Sequence, residues 1–438
     1  MVRVDLTPHL ISAVGATSVF GGGRRSLAGR RRRITFLMVC ASGTGGVPRA
    51  VFSVANELAR RAHDVEVVSV YRTHREPYVS VHPAINITYL EDRANPNPGA
   101  KYLPRAHQNP ERSRFARYLD RQPTQLAGET YPAFSGLTDL HLARKLRSLP
   151  PGIVVTTRPE LAAAVVRWAP ADVIAVDQEH LTFNKRPEPI RAALYGAGDR
   201  LDALVTLTDV DQLRWKRRMR SATTRFAVIP NATPFAVSDP APLANKVVIA
   251  AGRLNVQKAF DRLVDAYAPV AAAHPDWQLH IYGSGRKRKS LRRQVERLGL
   301  VGRVRLMGFT DELEDRLREA SIYAMSSRYE GFPMVLLEAM SLGVPPVSVD
   351  CPEGPRQLID DEVNGLLVGR GDVPGLSQAM QRLIEDPALR RRLGAGALET
   401  SRSYTLDVVV DQWEALFDEL VARRAGSRPA MELGDALR

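Results

Sequence analysis

Residues 326–343 place two glutamates, Glu330 and Glu338, on either side of a Gly-Phe-Pro turn. The polar start and the turn predict a loop, and the apolar run after them predicts a helix over 334–342 whose only charge is Glu338. A helix that starts after a loop presents unpaired amides and the positive end of its dipole, which together favour an anion. The residues of the turn are Gly331, Phe332 and Pro333, the last of which suits the first turn of a helix. The segment therefore predicts an anion site flanked by two carboxylates.

Two cations, Arg253 and Lys258, lie where the sequence predicts a turn between a strand over 246–251 and a helix over 260–272. Arginine offers a planar fork of donors and lysine a point charge, and both suit phosphate oxygens. Alone they would be ordinary surface charges. Together with the helix start at 332–334 they suggest a site for a diphosphate.

Candidate ligand contacts also follow the predicted strands of the first half of the chain. A glycine-rich loop at 42–46 follows one strand, and His180 follows another. Ligands of open α/β sheets bind at the carboxyl ends of strands, although loop glycines also serve tight packing and a lone histidine is often structural. The motif Asp209-Val-Asp211 is compatible with metal binding, but we prefer a structural role in the first turn of a helix over 211–219, where negative charge is stabilising. The glycines of the loop are Gly43, Gly45 and Gly46.

Short apolar runs alternate with helical patterns along two parts of the chain. This alternation predicts an α/β fold with two parallel sheets, each covered by helices on both faces. A Pro-rich stretch between the two parts predicts a linker. The predicted units are a basic disordered extension over 1–33, an N-terminal α/β domain over 34–232, a C-terminal α/β domain over 245–403, an amphipathic helix over 406–422 and a frayed tail over 425–438.

Charge and composition bound the class of protein. The chain of 438 residues has a net charge of +13, and residues 1–33 hold seven Arg and one Asp. We interpret this extension as a solvated tail, with attachment to an anionic membrane surface or attraction to a polyanionic acceptor as alternatives. No run reaches the ~18 apolar residues of a membrane span. Two cysteines far apart indicate neither a disulfide scaffold nor a metal site, so the cytoplasm is the expected location.

Several motifs, in this order, resemble those of the retaining glycosyltransferases of family 4. They are Gly252-Arg-Leu-x3-Lys258, Tyr282-Gly-Ser-Gly285, Glu330-x7-Glu338 and Asn364-Gly-Leu-Leu-Val368. The resemblance covers about residues 34–420. It implies the GT-B architecture, in which two Rossmann-like domains face a central cleft and a C-terminal helix, here 406–422, returns to complete the first domain. It also implies a nucleotide-sugar donor, an acceptor hydroxyl, and neither a metal nor another cofactor.

The resemblance assigns roles to the residues singled out above. Arg253 and Lys258 are implied to hold the diphosphate of the donor, Glu338 to accept from the ribose hydroxyls and Glu330 from those of the sugar, because a carboxylate can accept from two hydroxyls at once. Glu330 and His180 are the implied catalytic residues. The donor site further includes the turn at Gly331, Phe332 and Pro333, and the loop with Gly43, Gly45 and Gly46 is implied to lie beside the phosphates and the acceptor.

Some positions depart from the family pattern, and other functions stay open. Gln357 and Arg286 stand where the family often has acids, whereas the string over 351–356 resembles branches that glycosylate teichoic-acid polyol phosphates. The acceptor is therefore expected in cell-envelope glycoconjugate or teichoic-acid-like polymer synthesis, polyanionic or lipid-linked, with the enzyme at the inner face of the membrane. The alternatives are a sugar-nucleotide epimerase, a glycoside hydrolase with two carboxylates, and a non-enzymatic polyanion binder. Nucleic acid is not expected, because aromatic stacking motifs are absent.

Overall fold

Among the residues that this computed structural model describes, the first sheet contains seven parallel strands. They are β1 (Arg33–Cys40), β2 (Asp64–Arg72), β3 (Asn86–Asp92), β4 (Ile153–Thr156), β5 (Ile174–Glu179), β6 (Ala203–Thr206) and β7 (Arg225–Val228). Their order is β3-β2-β1-β4-β5-β6-β7. The structure describes residues 31–43, 45–94, 113–126, 134–235 and 239–426. Those from Arg32 onward belong to one compact unit.

The second sheet contains six parallel strands in the described part of the chain. They are β8 (Val247–Ala251), β9 (Gln278–Tyr282), β10 (Val304–Gly308), β11 (Ile322–Met325), β12 (Pro346–Val349) and β13 (Leu366–Val368), in the order β10-β9-β8-β11-β12-β13. Successive residues of β8, Val248 and Ile249, enter two different apolar clusters. Because successive side chains point to opposite faces of a strand, both faces of this sheet are buried, as expected for a parallel sheet.

Fourteen helices are described. They are α1 (Gly46–Arg60), α2 (Arg114–Arg121), α3 (Gly136–Arg147), α4 (Pro159–Trp168), α5 (Glu188–Ala197), α6 (Asp209–Met219), α7 (Phe260–Ala273), α8 (Arg288–Arg297), α9 (Leu313–Arg318), α10 (Met334–Ser341), α11 (Pro355–Leu358), α12 (Val373–Glu385), α13 (Pro387–Ser401) and α14 (Leu406–Gly426). None of them is long and apolar enough to cross a membrane.

Helix α14 packs on the first sheet although it follows the second sheet in the sequence. Its Trp413 and Phe417 lie in the same apolar core as Ile34 and Phe36 of β1. Burying aromatic side chains of this size supplies a large share of the energy of a core. The core of the first sheet therefore includes residues from both ends of the described chain.

The structure adds one strand and corrects two element boundaries. Strand β3 was not identified from the sequence; Arg33, assigned to the disordered extension, begins β1 and pairs with Asp64 of β2 at 2.8 Å. At the other end, α14 continues to Gly426, inside the segment expected to fray. The remaining parts of the predicted extension and tail, residues 1–30 and 427–438, lie outside the described residues. The predicted domain boundaries themselves stay predictions.

Candidate donor-binding site

Arg253 lies in a loop after β8 that rests on a second glycine loop after β9. Gly283 in the second loop has a φ of +130°, and a Cβ there would lie 1.9 Å from the carbonyl oxygen of Gly252, so only glycine lets the two loops touch. The amide of Leu254 donates to the carbonyl oxygen of Ser284 at 2.8 Å. Arg253 is exposed, and its guanidinium has no ion pair in the described part of the chain. Its donors are therefore available to an anion.

Lys258 and Glu330 form an ion pair with each other, which the sequence analysis did not predict. Lys258 Nζ lies 2.7 Å from Glu330 Oε1, and the hydroxyl of Ser327 donates to the same oxygen at 2.5 Å. Only 6% of the Glu330 side chain and 19% of the Lys258 side chain are exposed. A Cβ at Gly252 would lie 2.9 Å from Lys258 Cε, so glycine at this position leaves room for the lysine. A hydrogen bond thus joins the cation implied for the diphosphate to the carboxylate implied for the sugar.

Glu338 is fully buried in α10, and neither oxygen of its carboxylate has a hydrogen-bond partner among the described residues. Arg49 of α1 extends from the first half of the chain to within 3.5 Å of Glu338 Oε1. Burial raises the pKa of the Glu338 carboxyl, and the positive charges of Arg49 and Lys258 oppose this shift. A buried carboxylate without donors is costly. Hydroxyl groups of a ligand would provide the donors that this carboxylate needs.

The turn before α10 brings this site against His180. A Cβ at Gly331 would lie 3.0 Å from the carbonyl oxygen of His180, and the ring of Phe332 packs on Tyr404 with 5.8 Å between centroids. Pro333 precedes the helix as its N-cap residue instead of lying in the first turn as expected, and no side chain of the described residues caps this end of α10. The first amides of the helix therefore lack a capping side chain, which keeps them suited to an anion.

His180 follows β5 directly and is half-buried. Its Nε2 is buried and has no hydrogen-bond partner among the residues that the structure describes. Burial, and after it the charge of Arg186, lowers the pKa of His180 to about 3. Arg186 is held nearby by two hydrogen bonds of 2.8 Å to the buried carboxylate of Glu179. His180 is therefore a neutral imidazole at neutral pH, which can donate one hydrogen bond and accept another.

Polar contacts join the two halves of the chain beside this site, and the sequence analysis missed them. Glu353, at a φ of +83°, accepts from Arg214 in an ion pair and from Asn184 Nδ2 at 3.5 Å. Lys185 Nζ lies 3.9 Å from the centroid of the Tyr329 ring. A non-glycine residue at positive φ is uncommon, and this was not readable from the sequence. These contacts hold the loop after β12 against α6 and the segment that follows His180, and the loop before α10 against that same segment.

Another polar contact between the two halves of the chain explains why Gln357 departs from the family pattern. Gln357 Nε2 donates to Asp209 Oδ2 at 3.3 Å, and the amide of Asp209 donates to Gln357 Oε1 at 3.4 Å. An acid at 357 would face the Asp209 carboxylate, whereas an amide satisfies both groups. The departure was the one signal in the sequence that pointed to this contact.

The paired acids at the start of α6 have structural partners. Asp209 contacts Gln357 as described, and Asp211 accepts from the amide of Phe183 at 3.1 Å. Both acids lie in the first turn of the helix, which is the structural role predicted from the sequence. Among the described residues, no group of three or more His, Cys, Asp and Glu is arranged to hold a metal ion. That the reaction needs no metal nevertheless stays a prediction.

The glycine loop before α1 is less constrained than its composition suggests. Gly45 is the N-cap residue of α1, and a Cβ there would meet only Pro48, at 3.9 Å. Among the described residues, a Cβ at Gly46 would meet nothing within 4 Å, and one at Gly43 would lie 3.4 Å from the carbonyl oxygen of Cys40. Packing against the described part of the chain therefore does not require glycine at 45 or 46. The role of this loop beside phosphates and acceptor stays a prediction.

Residues 236–400 match the model of the family described as glycosyl transferases group 1. An exopolysaccharide phosphotransferase of Streptomyces coelicolor is 36% identical over 92% of this chain, and the chain spans 42% of that protein. An uncharacterized glycosyltransferase of Haemophilus influenzae is 24% identical over 88% of this chain and 99% of its own length. The Anabaena protein HepE, solved in complex with UDP, has a TM-score of 0.65 at 17% identity and covers 88% of this chain and 100% of its own.

These similarities have two consequences. The likeness to solved structures confirms the GT-B fold predicted from the sequence. The family match, together with relatives named glycosyltransferases, supports a GT-B glycosyltransferase. Because this chain spans less than half of the Streptomyces protein, the activity in that protein's name does not follow from the likeness.

Proposed function

We propose that this chain is a retaining glycosyltransferase of family 4, which moves a hexosyl group from a nucleotide-sugar donor to an acceptor hydroxyl without a metal. Glu338 carries this proposal, because it is a buried carboxylate without hydrogen-bond donors close to Lys258. A nucleotide sugar offers ribose hydroxyls to Glu338 and phosphate oxygens to Arg253 and Lys258. The UDP in the HepE complex supports this class of donor.

The reaction breaks the bond between the anomeric carbon of the sugar and the phosphate oxygen, so the nucleoside diphosphate leaves with an additional negative charge. Arg253, Lys258 and the start of α10 stabilise that charge. A helix terminus contributes at most about 2 kcal/mol, so the two cations contribute the larger share. Glu330 holds Lys258 in position through their 2.7 Å hydrogen bond and accepts from the hydroxyls of the sugar. Neutral His180 positions groups of the sugar or acceptor by hydrogen bonding.

The acceptor in this proposal belongs to a cell-envelope glycoconjugate or a teichoic-acid-like polymer, and the enzyme acts in the cytoplasm at the inner face of the membrane, which its Arg-rich extension contacts. Arg32 pairs with Asp418 and Arg33 with Asp64. A deletion that tests the extension should therefore end at residue 30. It is expected to weaken binding to anionic vesicles at low salt, and unchanged binding would disprove the membrane contact.

A screen of nucleotide sugars against hydroxyl acceptors, read by mass spectrometry, tests the activity. The expected products are a glycosylated acceptor and free nucleoside diphosphate, formed at the same rate with and without EDTA. The anomeric proton couplings of the product in an NMR spectrum should match those of the donor. A folded chain that binds no nucleotide sugar and no nucleoside diphosphate would refute the proposal.

A phosphotransferase is the second candidate, because the 36% identical Streptomyces protein carries that name. Such an enzyme would break the diphosphate of the donor, place the sugar phosphate on the acceptor and release a nucleoside monophosphate. The nucleotide released in the same screen therefore decides between the two: a diphosphate indicates glycosyl transfer, and a monophosphate indicates phosphotransfer.

A further inference from the structure

Helix α8 presents an exposed row of cations that the proposed chemistry does not use. Lys289, Arg293 and Arg297 follow one another at intervals of four residues on the exposed side of the helix, with further exposed cations at Arg286, Lys287 and Arg292. In the described part of the chain, none of these six side chains has an ion pair. The intervening Glu296 is the only acid of the helix, and on the neighbouring α7 Asp265 is bonded to Gln294.

This arrangement of charge opposes the stability of the helix itself. Like charges four residues apart repel each other, and cations in the first turn oppose the helix dipole. The first turn of α8 contains no acid, and its N-cap residue is Lys287. Only Arg297, in the last turn, suits the helix dipole. The rest of the row therefore does not serve the fold, and a binding role accounts for it better.

The row begins at the donor site. The amide of Lys287 donates to the carbonyl oxygen of Leu254 at 3.0 Å, and a Cβ at Gly285 would lie 2.4 Å from the same oxygen. Leu254 is the neighbour of Arg253. From there the helix rises about 1.5 Å per residue, so that successive cations of the row lie about 6 Å apart along the helix axis, each rotated by about 40° around it from the one before. A chain lying on this row would have one end next to the donor site.

We propose that the α8 face binds a phosphodiester-linked acceptor polymer, whose regularly spaced negative charges contact Lys289, Arg293 and Arg297. This inference rests on the proposed function and specifies the chemistry of its acceptor. A membrane fits the face less well, because the exposed residues between the cations are polar, whereas helices that lie in a membrane surface insert apolar side chains. A nucleic acid also fits less well, because α8 has no aromatic residue on which a base would stack.

The test compares a variant of the row with a matched control that removes the same charge elsewhere. The row variant is Lys289→Gln/Arg293→Gln/Arg297→Gln. The control is Arg144→Gln/Arg147→Gln/Arg391→Gln, because these three arginines are also exposed and have no ion pair in the described part of the chain. Binding of poly(glycerol phosphate), phosphatidylglycerol vesicles and single-stranded DNA is measured at several salt concentrations, and UDP binding is measured by calorimetry.

The row variant should bind poly(glycerol phosphate) about tenfold or more weakly than the control at low salt. Its slope of log affinity against log salt should be about 2 units shallower than that of the wild type, since three phosphate contacts are lost. UDP affinity should not change. Equal polymer affinity in the row variant and the control would overturn the inference, and so would a loss of vesicle or DNA binding that leaves polymer binding intact. Absence of UDP binding in the wild type would instead refute the proposed function.

Discussion

Replacing Glu338 by Gln should stabilise the protein and weaken its binding of UDP. The carboxylate is completely buried, and the described residues give it no hydrogen-bond donor. A neutral amide is cheaper to bury than a charge, so we expect the free energy of unfolding at pH 7 to rise by about 1–2 kcal/mol. The ribose hydroxyls would lose a charged acceptor worth about 1.5–3 kcal/mol, which weakens UDP binding by about 10- to 150-fold.

Glu330→Gln is the matched control, because this second glutamate is also buried but has partners. Its replacement leaves Lys258 without its 2.7 Å ion pair and should lower the free energy of unfolding by about 1–3 kcal/mol. The affinity for UDP should stay the same or rise, since Lys258 becomes free to contact the diphosphate. Transfer should still fall about 10²–10³-fold, because the sugar loses its acceptor group and the lysine its position.

The pH dependence gives an independent check on Glu338. Because burial raises its pKa in the folded protein above the ordinary 4.5, the folded state retains a proton that the unfolded state has released above that pH. The contribution of Glu338 to stability therefore declines as the pH rises from about 4.5. Glu338→Gln lacks this decline, so its advantage over the wild type should grow between pH 4 and pH 7.

Chemical denaturation at several pH values and calorimetry with UDP measure these quantities on folded protein. A Glu338→Gln variant that is less stable and binds UDP normally would show that this residue only supports the fold. Equal losses of UDP affinity in the two variants would refute the separate assignment of ribose and sugar.

Three further predictions concern the contacts between the two halves of the chain. His180→Ala should lower the transfer rate more than UDP affinity, and the wild-type rate should show no inflection near pH 6.5 from this residue, whose pKa is about 3; a normal rate in the variant would remove His180 from the site. Gly331→Ala places a Cβ 3.0 Å from the carbonyl oxygen of His180, so transfer should fall about tenfold or more while UDP binding changes little, and full activity would contradict this close approach. Gln357→Glu should destabilise the protein by about 1 kcal/mol at pH 7 and less at pH 4, because its carboxylate would face Asp209; denaturation at both pH values measures the difference, and equal stability at pH 7 would argue against the contact.

The sequence predicted the buried strands most accurately. Strands β4 and β11 were predicted with the limits that the structure has, because a strand buried on both faces is a continuous apolar run. Strand β3 was missed because it lies at the edge of the sheet and only one of its seven residues is buried. The hydrophobic periodicity of the sequence gives only a weak signal for such a strand.

The candidate site was predicted in residue type but not in its contacts. The motifs identified Lys258, Glu330 and Glu338, yet the pair between Lys258 and Glu330 depends on how two loops 72 residues apart meet. The approach of Arg49 to Glu338 depends on how α1 faces α10. Periodicity and spacing describe local structure, and neither specifies a distance between elements that are far apart in the chain.

The packing of α14 has a consequence for the biosynthesis of this protein. The core of the first sheet needs Trp413 and Phe417, but the ribosome adds about 180 residues between the end of β7 and the start of α14. At about 5–20 residues per second, the first half of a nascent chain spends roughly 10–35 s with the apolar surface that α14 will cover still open to water. Chaperones that bind apolar surface could bind this surface during that interval. Expression of the first half alone would leave the surface exposed permanently.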